Sequence, residues 1–288
     1  MFRASVTRNI TGRTRSGAFH IGLGLAIVVS VVAPPTSAQE PKLVKAKDGS
    51  GVVGYKDTPI LPWAGYHKHD PDRPLPEEIV PGRPSTQQKV GTAPSDAVVL
   101  FDGTDLSQWE PNKWTIENGE LIATEGDIDT KQSFGDCQLH LEWQAPDPPR
   151  GPQMNRGNSG VFFMGRYEVQ ICDSYTEKIY PDGSAAAIYG ETPPLVNATL
   201  PPGKWQTYDI IFTAPVFKGK HLVGAAMVTM LHNGVLVHHN TEIHGPCAWR
   251  IIEPYTPHPF KQPLRLQAHG NPVRFRNIWI RPLDKQTR

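Results

Sequence analysis

The sequence predicts an all-β fold, a β-sandwich, on three observations. From about Asp96 onward, short apolar or alternating runs follow one another with turn residues between them. Two Asn-Gly pairs, Asn118-Gly119 and Asn233-Gly234, each sit between two such runs, the strongest local signal for a two-residue hairpin. After residue 38 no segment of helical length keeps a 3.6-residue apolar period. Ten or more strands at uneven spacing favour two packed sheets over a closed barrel.

Residues 1–38 read as a secretory signal peptide. Arg3, Arg8, Arg13 and Arg15 form a basic start, Ile21 to Ala33 is an apolar run, and Thr36-Ser37-Ala38 supplies the small residues of a cleavage site. The run is short for a membrane-spanning helix, and twin arginines are absent, so export by the general route is expected, to a periplasmic or secreted location. The segment holds four of the 29 basic residues and none of the 28 acidic ones, which leaves 25 against 28 in the remainder. A net charge near −3 is no footprint for nucleic acid or an anionic membrane. The 250 residues that remain can bury one sizeable core. Cys137, Cys172 and Cys247 are far apart and contain no C-x-x-C pair, so they select neither a disulfide nor a sulfur metal site.

Residues 39–95 are Pro-rich, with proline at 41, 59, 62, 71, 74, 76, 81, 84 and 94. Such a chain runs extended rather than helical. Tyr55, Ile60, Leu61, Trp63 and Tyr66 are too apolar for a plain linker, and the segment is expected to pack on the domain formed by 96–288. In that domain Val98–Phe101 is a strand closed by Asp102-Gly103, and Trp114–Glu117 with Glu120–Ala123 form the first hairpin. Asp136–Gln144 alternates, and 145–157 is a Pro/Gly loop. A strand is expected from Met164 to Cys172, then turns over 173–203, and a strand at Trp205–Phe212. Ala226–His232 and Val235–His239 make the second hairpin, and Leu264–His269 with Val273–Arg281 close the chain.

Alternation also selects the candidate site. In a strand over 164–172, Arg166, Glu168 and Gln170 share one face, and Tyr167, Val169 and Ile171 the other. Cation, carboxylate and amide together are costly on a core strand unless that face is wet, as on an outer sheet, or binds something polar. His140, Glu142 and Gln144 form a second polar stripe, and Arg265, Gln267 and His269 a third. If the three strands share a sheet, Glu142, Glu168 and His269 converge, with Glu168 as a tunable base and His269, before Gly270-Asn271-Pro272, as a proton-transfer group. His67 and His69, and the pair His238-His239, lack a third metal ligand at a diagnostic spacing. Nucleophile-elbow and phosphate-cradle motifs are absent.

The ordered motifs resemble a known family. They are Gly54-Tyr55-Lys56-Asp57-Thr58-Pro59; Val98–Gly103 with Leu106 and Trp109; Arg156-Gly157-Asn158-Ser159-Gly160-Val161-Phe162; Tyr167-Glu168-Val169-Gln170-Ile171; Ala187-Ile188-Tyr189-Gly190; Pro193-Pro194-Leu195-Val196-Asn197; Trp205-Gln206-Thr207-Tyr208-Asp209; and Gln267-Ala268-His269-Gly270-Asn271-Pro272-Val273-Arg274-Phe275-Arg276-Asn277. Over about Gly54 to Leu283 the chain is similar to the 3-keto-disaccharide hydrolase domain family. Two positions depart from its pattern: Ala268 stands where Asp is frequent, removing a carboxylate beside His269, and Cys172 where Leu or Val is frequent.

The resemblance implies a jelly-roll sandwich of the concanavalin A-like lectin and glucanase type, acting on glycosides oxidised to a ketone at C3. An upstream sugar 3-oxidoreductase is then implied as the source of substrate. A C3 ketone acidifies C2–H, and the C1 substituent can leave by elimination before water adds. In that scheme Glu168 is the base and His269 the acid or enolate partner. Arg156, Gln170 and Gln267 bind hydroxyls or the ketone, Trp143 or Tyr175 stacks on the sugar, and Glu142, Arg166 and Asp173 complete the candidate binding set. No cofactor is identified; a divalent metal suits the reaction type, but no ligand set for one is visible. A non-catalytic carbohydrate-binding module and an ordinary glycoside hydrolase are the alternatives.

Overall fold

The structure, a computed structural model, describes residues 42–283, so the expected signal peptide lies outside the described residues. The chain divides into two compact units between Pro76 and Glu77. In the first, β1 (Val44–Lys45) pairs antiparallel with β2 (Val53–Gly54). Lys56 bridges Asp70 at 2.5 Å and Asp72 at 2.8 Å, and His67 bonds through Nδ1 to the Thr58 carbonyl.

Among the described residues the regular elements of the second unit are strands, apart from two single 3₁₀ turns, Gln153–Asn155 and Pro181–Gly183. Its strands in chain order are β3 (Val98–Phe101), β4 (Thr115–Glu117), β5 (Glu120–Ile122), β6 (Ile128–Phe134), β7 (Cys137–Gln144), β8 (Ser159–Phe163), β9 (Tyr167–Ile171), β10 (Gln206–Thr213), β11 (Val216–Lys218), β12 (His221–Gly224), β13 (Met227–His232), β14 (Val235–Glu242), β15 (Gln262–Leu266) and β16 (Arg274–Pro282). The large sheet runs β14-β13-β10-β7-β16-β5-β4, with β3 also paired to β16; the small sheet runs β6-β15-β8-β9. The pairings are antiparallel.

The core lies between these sheets, and alternation decides what enters it. Leu139, Leu141 and Trp143 of β7, and Tyr208, Ile210 and Phe212 of β10, come from the large sheet. They meet Val161 and Phe163 of β8, Tyr167, Val169 and Ile171 of β9, and Leu264 and Leu266 of β15. Phe163 stacks on Phe212 with ring centres 4.4 Å apart, and the Tyr208 hydroxyl donates to the Gln170 carbonyl at 2.8 Å. This closes an inter-sheet layer by burial and one cross-core hydrogen bond.

Three local expectations change. The strand over 164–172 is broken at its start: Met164 and Gly165 both have positive φ, and the Arg166 N–H returns to the Phe163 carbonyl at 3.0 Å. That is a two-residue hairpin joining β8 to β9, and Arg166 belongs to it. Strand β6 escaped notice because Asp129, Lys131 and Gln132 obscure its alternation, and the β11-β12 ribbon because little of it is buried. Residues 77–95 fold with the second unit, where Gln87 exchanges hydrogen bonds of 2.8 and 2.9 Å with the backbone of Trp205.

Truncating Phe212 to alanine removes the stacked partner of Phe163 from the middle of the core. A loss of roughly 3–5 kcal/mol is expected, measured by urea unfolding with an unchanged slope.

Candidate active site

The outer face of the small sheet carries the site. Register sets Arg265 beside Phe162 and Phe162 beside Glu168, and in the next row Gly160 lies beside Gln170. Because Val169 faces the core, its neighbours Glu168 and Gln170 face outward. They form the floor of a pocket of about 540 Å3, whose wall includes Asn158, Tyr189, Gln267 and His269. Gly160 is required here: a Cβ at that position would overlap the Glu168 carboxylate and the Phe162 ring.

Glu168 is only 5 % exposed, and among the described residues no cation pairs with it. Burial, with a smaller contribution from the charge of Asp127, pushes its carboxyl up to about 8. Its backbone is held tightly all the same, with its N–H on Cys247 Sγ at 3.1 Å and its carbonyl accepting from Tyr189 N–H at 3.1 Å. Since the folded state keeps this proton more strongly than the unfolded one, the group's contribution to stability falls as pH rises from about 4.5 to about 8.

Gln170 accepts the Ile171 N–H through its own Oε1 at 2.8 Å, and its side chain lines the pocket. Gln267 donates its backbone N–H to Gly160 and accepts from Ser159 Oγ at 2.6 Å through its carbonyl. His269 is exposed on the turn after β15 rather than at the strand end. Asn271 fixes that turn, donating to the His269 carbonyl at 3.1 Å and accepting the Gly157 N–H at 3.2 Å. Of the candidate residues, Glu168, Gln170, Gln267 and His269 therefore converge on one pocket.

The others lie elsewhere. Trp143 is fully buried in the core, edge-on to Tyr208, and presents no face for a sugar. Arg156 is held by Asp173, through Nε at 3.0 Å and Nη2 at 2.6 Å, and by Glu177 at 3.5 Å, a structural clamp that absorbs both candidates. Arg166 faces the hollow next to Arg265, beyond the β8-β9 turn. Tyr175 is half exposed, its N–H donated to Asp173 at 3.1 Å, and it lines neither this pocket nor the hollow beside it.

Glu142 does not join Glu168. It points from the outer face of the large sheet, where Arg276 Nε donates to it at 2.6 Å and Asn277 Nδ2 at 2.8 Å. His140 stands 3.4 Å from it and 2.6 Å from Asp209, and Arg276 reaches the Thr86 carbonyl at 2.6 Å. Burial raises the Glu142 carboxyl, but hydrogen bonds from His140, Ser85, Asn277 and Arg276 outweigh it and hold the group down near 2. Burial likewise lowers His140, and its bonds to Asp209 and Glu142 outweigh that and lift it to about 9.

Sequence patterning missed the aromatic rim, formed by Tyr180, Tyr189 and Trp249, and the amide donors Asn155 and Asn158. Tyr189 and Asn158 belong to recognisable motifs, whereas Trp249 stands in an irregular segment with no periodic signal. Among the described residues no group of three or more His, Cys, Asp or Glu side chains is set to hold a metal ion. His238, weighed as a ligand, bonds instead to the Ala186 carbonyl at 2.8 Å.

A two-sheet antiparallel sandwich with a polar, aromatic-rimmed pocket on one outer face is the class this chain represents. It belongs to the family described as the 3-keto-alpha-glucoside-1,2-lyase-like domain, which matches residues 96–281. A solved structure from Parabacteroides distasonis, provisionally named a glycosyl hydrolase, is 41% identical, with a TM-score of 0.70 over 73% of this chain and 93% of that one. A protein of Bacteroides thetaiotaomicron named 3-keto-disaccharide hydrolase is 22% identical over 239 residues, 65% of this chain and 78% of its own.

Because His140 binds its proton more strongly when folded, the stability it supplies is complete below about 6.5 and is lost as pH rises through about 9. Urea midpoints measured across that range in a Glu168→Gln background, which removes the titration of that carboxyl, are expected to fall. Adding His140→Gln is expected to flatten that slope.

Proposed function

We propose that this chain cleaves 3-keto-glycosides by removing the C2 proton and eliminating the C1 substituent, with water added afterwards. The observation that carries the reading is that Glu168 is the one carboxyl lining the pocket among the described residues. Ordinary glycoside hydrolysis requires two carboxyl groups flanking the scissile bond, about 5–9.5 Å apart. A carbon acid needs one strong base, and burial without a cation gives Glu168 that character.

Glu168 takes the proton from C2, and the electron pair moves into the C2–C3 bond as the ketone oxygen becomes an enolate. The pair then returns, the C3 ketone reforms, a C1–C2 double bond appears, and the C1–O bond breaks toward the leaving oxygen. Gln170, Gln267 and Asn158 supply N–H donors for the enolate and the sugar hydroxyls. His269, which lines the pocket and is exposed, protonates the leaving oxygen. Water adds at C1 and gives its proton to His269, replacing the one lost to the leaving oxygen, while Glu168 returns its proton to C2, so the sum is hydrolysis. The family to which the chain belongs and the named activity of its Bacteroides relative support the same substrate class. We further infer that the chain is exported and that a sugar 3-oxidoreductase supplies its substrate, because the ketone must be made before this step.

Release of the leaving group from a 3-keto-glucoside, with the parent glucoside alongside, tests the reading: release from the keto sugar alone is expected. Cleavage of both sugars at similar rates would sink it. Glu168→Gln is expected to lower kcat/KM by roughly 10²–10⁴-fold. The wild-type profile of kcat/KM should rise with pH and level off above about 8, as the carboxyl ionises. Gly160→Ala, which crowds that carboxyl, should lower kcat while the fold is retained by circular dichroism.

A further inference from the structure

Two arginines stand on the small sheet outside the pocket of Glu168. Arg265 of β15 and Arg166 at the β8-β9 turn line a separate hollow of about 300 Å3, together with Gln262, Asp129 and the apolar Met164 and Pro263. Two donors in this lining are buried and have no partner among the described residues, Arg166 Nε and Gln262 Nε2. Gly165 borders the same space, and a Cβ there would stand 4.0 Å from Arg265 Cζ. The Asp129 carboxylate is engaged by Arg265, which donates Nε to one oxygen at 2.8 Å and Nη2 to the other at 3.0 Å. Asp127 also comes within 4.0 Å of Arg265 Nη1. Arg166 differs: among the described residues no carboxylate lies at ion-pairing distance from its guanidinium.

We propose that this hollow binds an oxyanion: a sulfate, a phosphate or a carboxylate group. A buried N–H without a partner is costly, more so on a cation, and two of them in one lining call for an acceptor from outside the chain. Water or a neutral sugar can accept those bonds, but neither brings a charge to meet Arg166. An oxyanion does both, and the flat fork of a guanidinium matches its oxygens. A cation is disfavoured, because two guanidiniums line the hollow against one carboxylate, and Arg265 already holds that carboxylate at both oxygens. The oxyanion is either free in solution or carried on a glycoside bound at Glu168. The hollow and the pocket share no lining residue, with Phe162 between Arg265 and Glu168 in the register. Arg166 nevertheless precedes Glu168 by two residues, about 7 Å along an extended chain, so a substituent on a bound glycoside is within reach.

Calorimetric titration with sodium sulfate, against sodium chloride of equal ionic strength, tests the site. Saturable binding of one sulfate per chain is expected in the wild-type protein. Arg166→Gln is expected to weaken it by about tenfold or more, the loss of a charge-assisted bond, and Gln262→Leu by a smaller factor. Both side chains are half-buried, and circular dichroism checks that each variant folds. No saturable heat in the wild-type protein would overturn the proposal, as would an affinity unchanged in both variants. A second arm separates the two sources and rests on the keto-glycoside reading of Glu168. It compares two 3-keto-glucosides that differ only in a carboxylate on the leaving group of one. Competition by sulfate against the acidic substrate alone places the oxyanion on the glycoside, and competition against neither makes it a free ion; both results support the site. Equal competition against both would put the sulfate beside Glu168 and overturn the assignment. If neither substrate is cleaved, the keto-glycoside reading fails, while the titration still decides the site.

Discussion

The enclosure of Tyr167, Val169 and Ile171 between the two sheets is the constraint on which the site depends. Side chains of a strand alternate, so three anchored residues leave Glu168 and Gln170 no direction but outward. Phe163 against Phe212, and Tyr208 bonded to the Gln170 carbonyl, hold β9 against the core from beneath. The outer edge of β9 is closed by residues 186–189, whose backbone bonds to Glu168 and Gln170. A carboxyl fixed in this way cannot swing toward a cation to relieve its desolvation. Its raised affinity for a proton is therefore a result of packing elsewhere.

Two carboxylates begin from the same local pattern and meet opposite ends. Glu142 and Glu168 both alternate with core residues and both are nearly removed from water. Around Glu142 the chain assembles Arg276, Asn277 and His140, and the charge is kept. Around Glu168 it supplies aromatic rings, a thiol and an acid at a distance, and the neutral form is favoured. Desolvation is common to both; what separates them is the partner set. One keeps its charge in a structural joint, and the other holds its proton at the floor of the pocket.

That difference marks how much the sequence could tell. The hairpins at Asn118-Gly119 and Asn233-Gly234 were legible because a turn is decided by adjacent residues. So was the outward stripe of Glu168, Gln170 and Gln267, since alternation is equally local. Whether Glu142 joins them depends on sheet order, and β7 lies in the large sheet while β9 edges the small one. Trp143 looked available for stacking because aromatic content does not reveal which face is interior. The Arg156–Asp173 clamp pairs residues 17 apart through a loop of no period, and it claimed two side chains that composition offered to a ligand. Trp249 and its apolar neighbours carry no pattern, and only folding brings them to the rim.

The place of β16 has a consequence for how the molecule comes into being. This strand is the last of those described, yet it lies inside the large sheet, between β7 and the edge formed by β5 and β3. Until residues 274–282 exist, β7 offers an open edge, and Glu142 lacks the guanidinium that compensates it. A chain that lacks this strand therefore cannot complete the large sheet. Completing the sheet thus waits on the pairing of segments far apart in sequence, a slow step for any β fold.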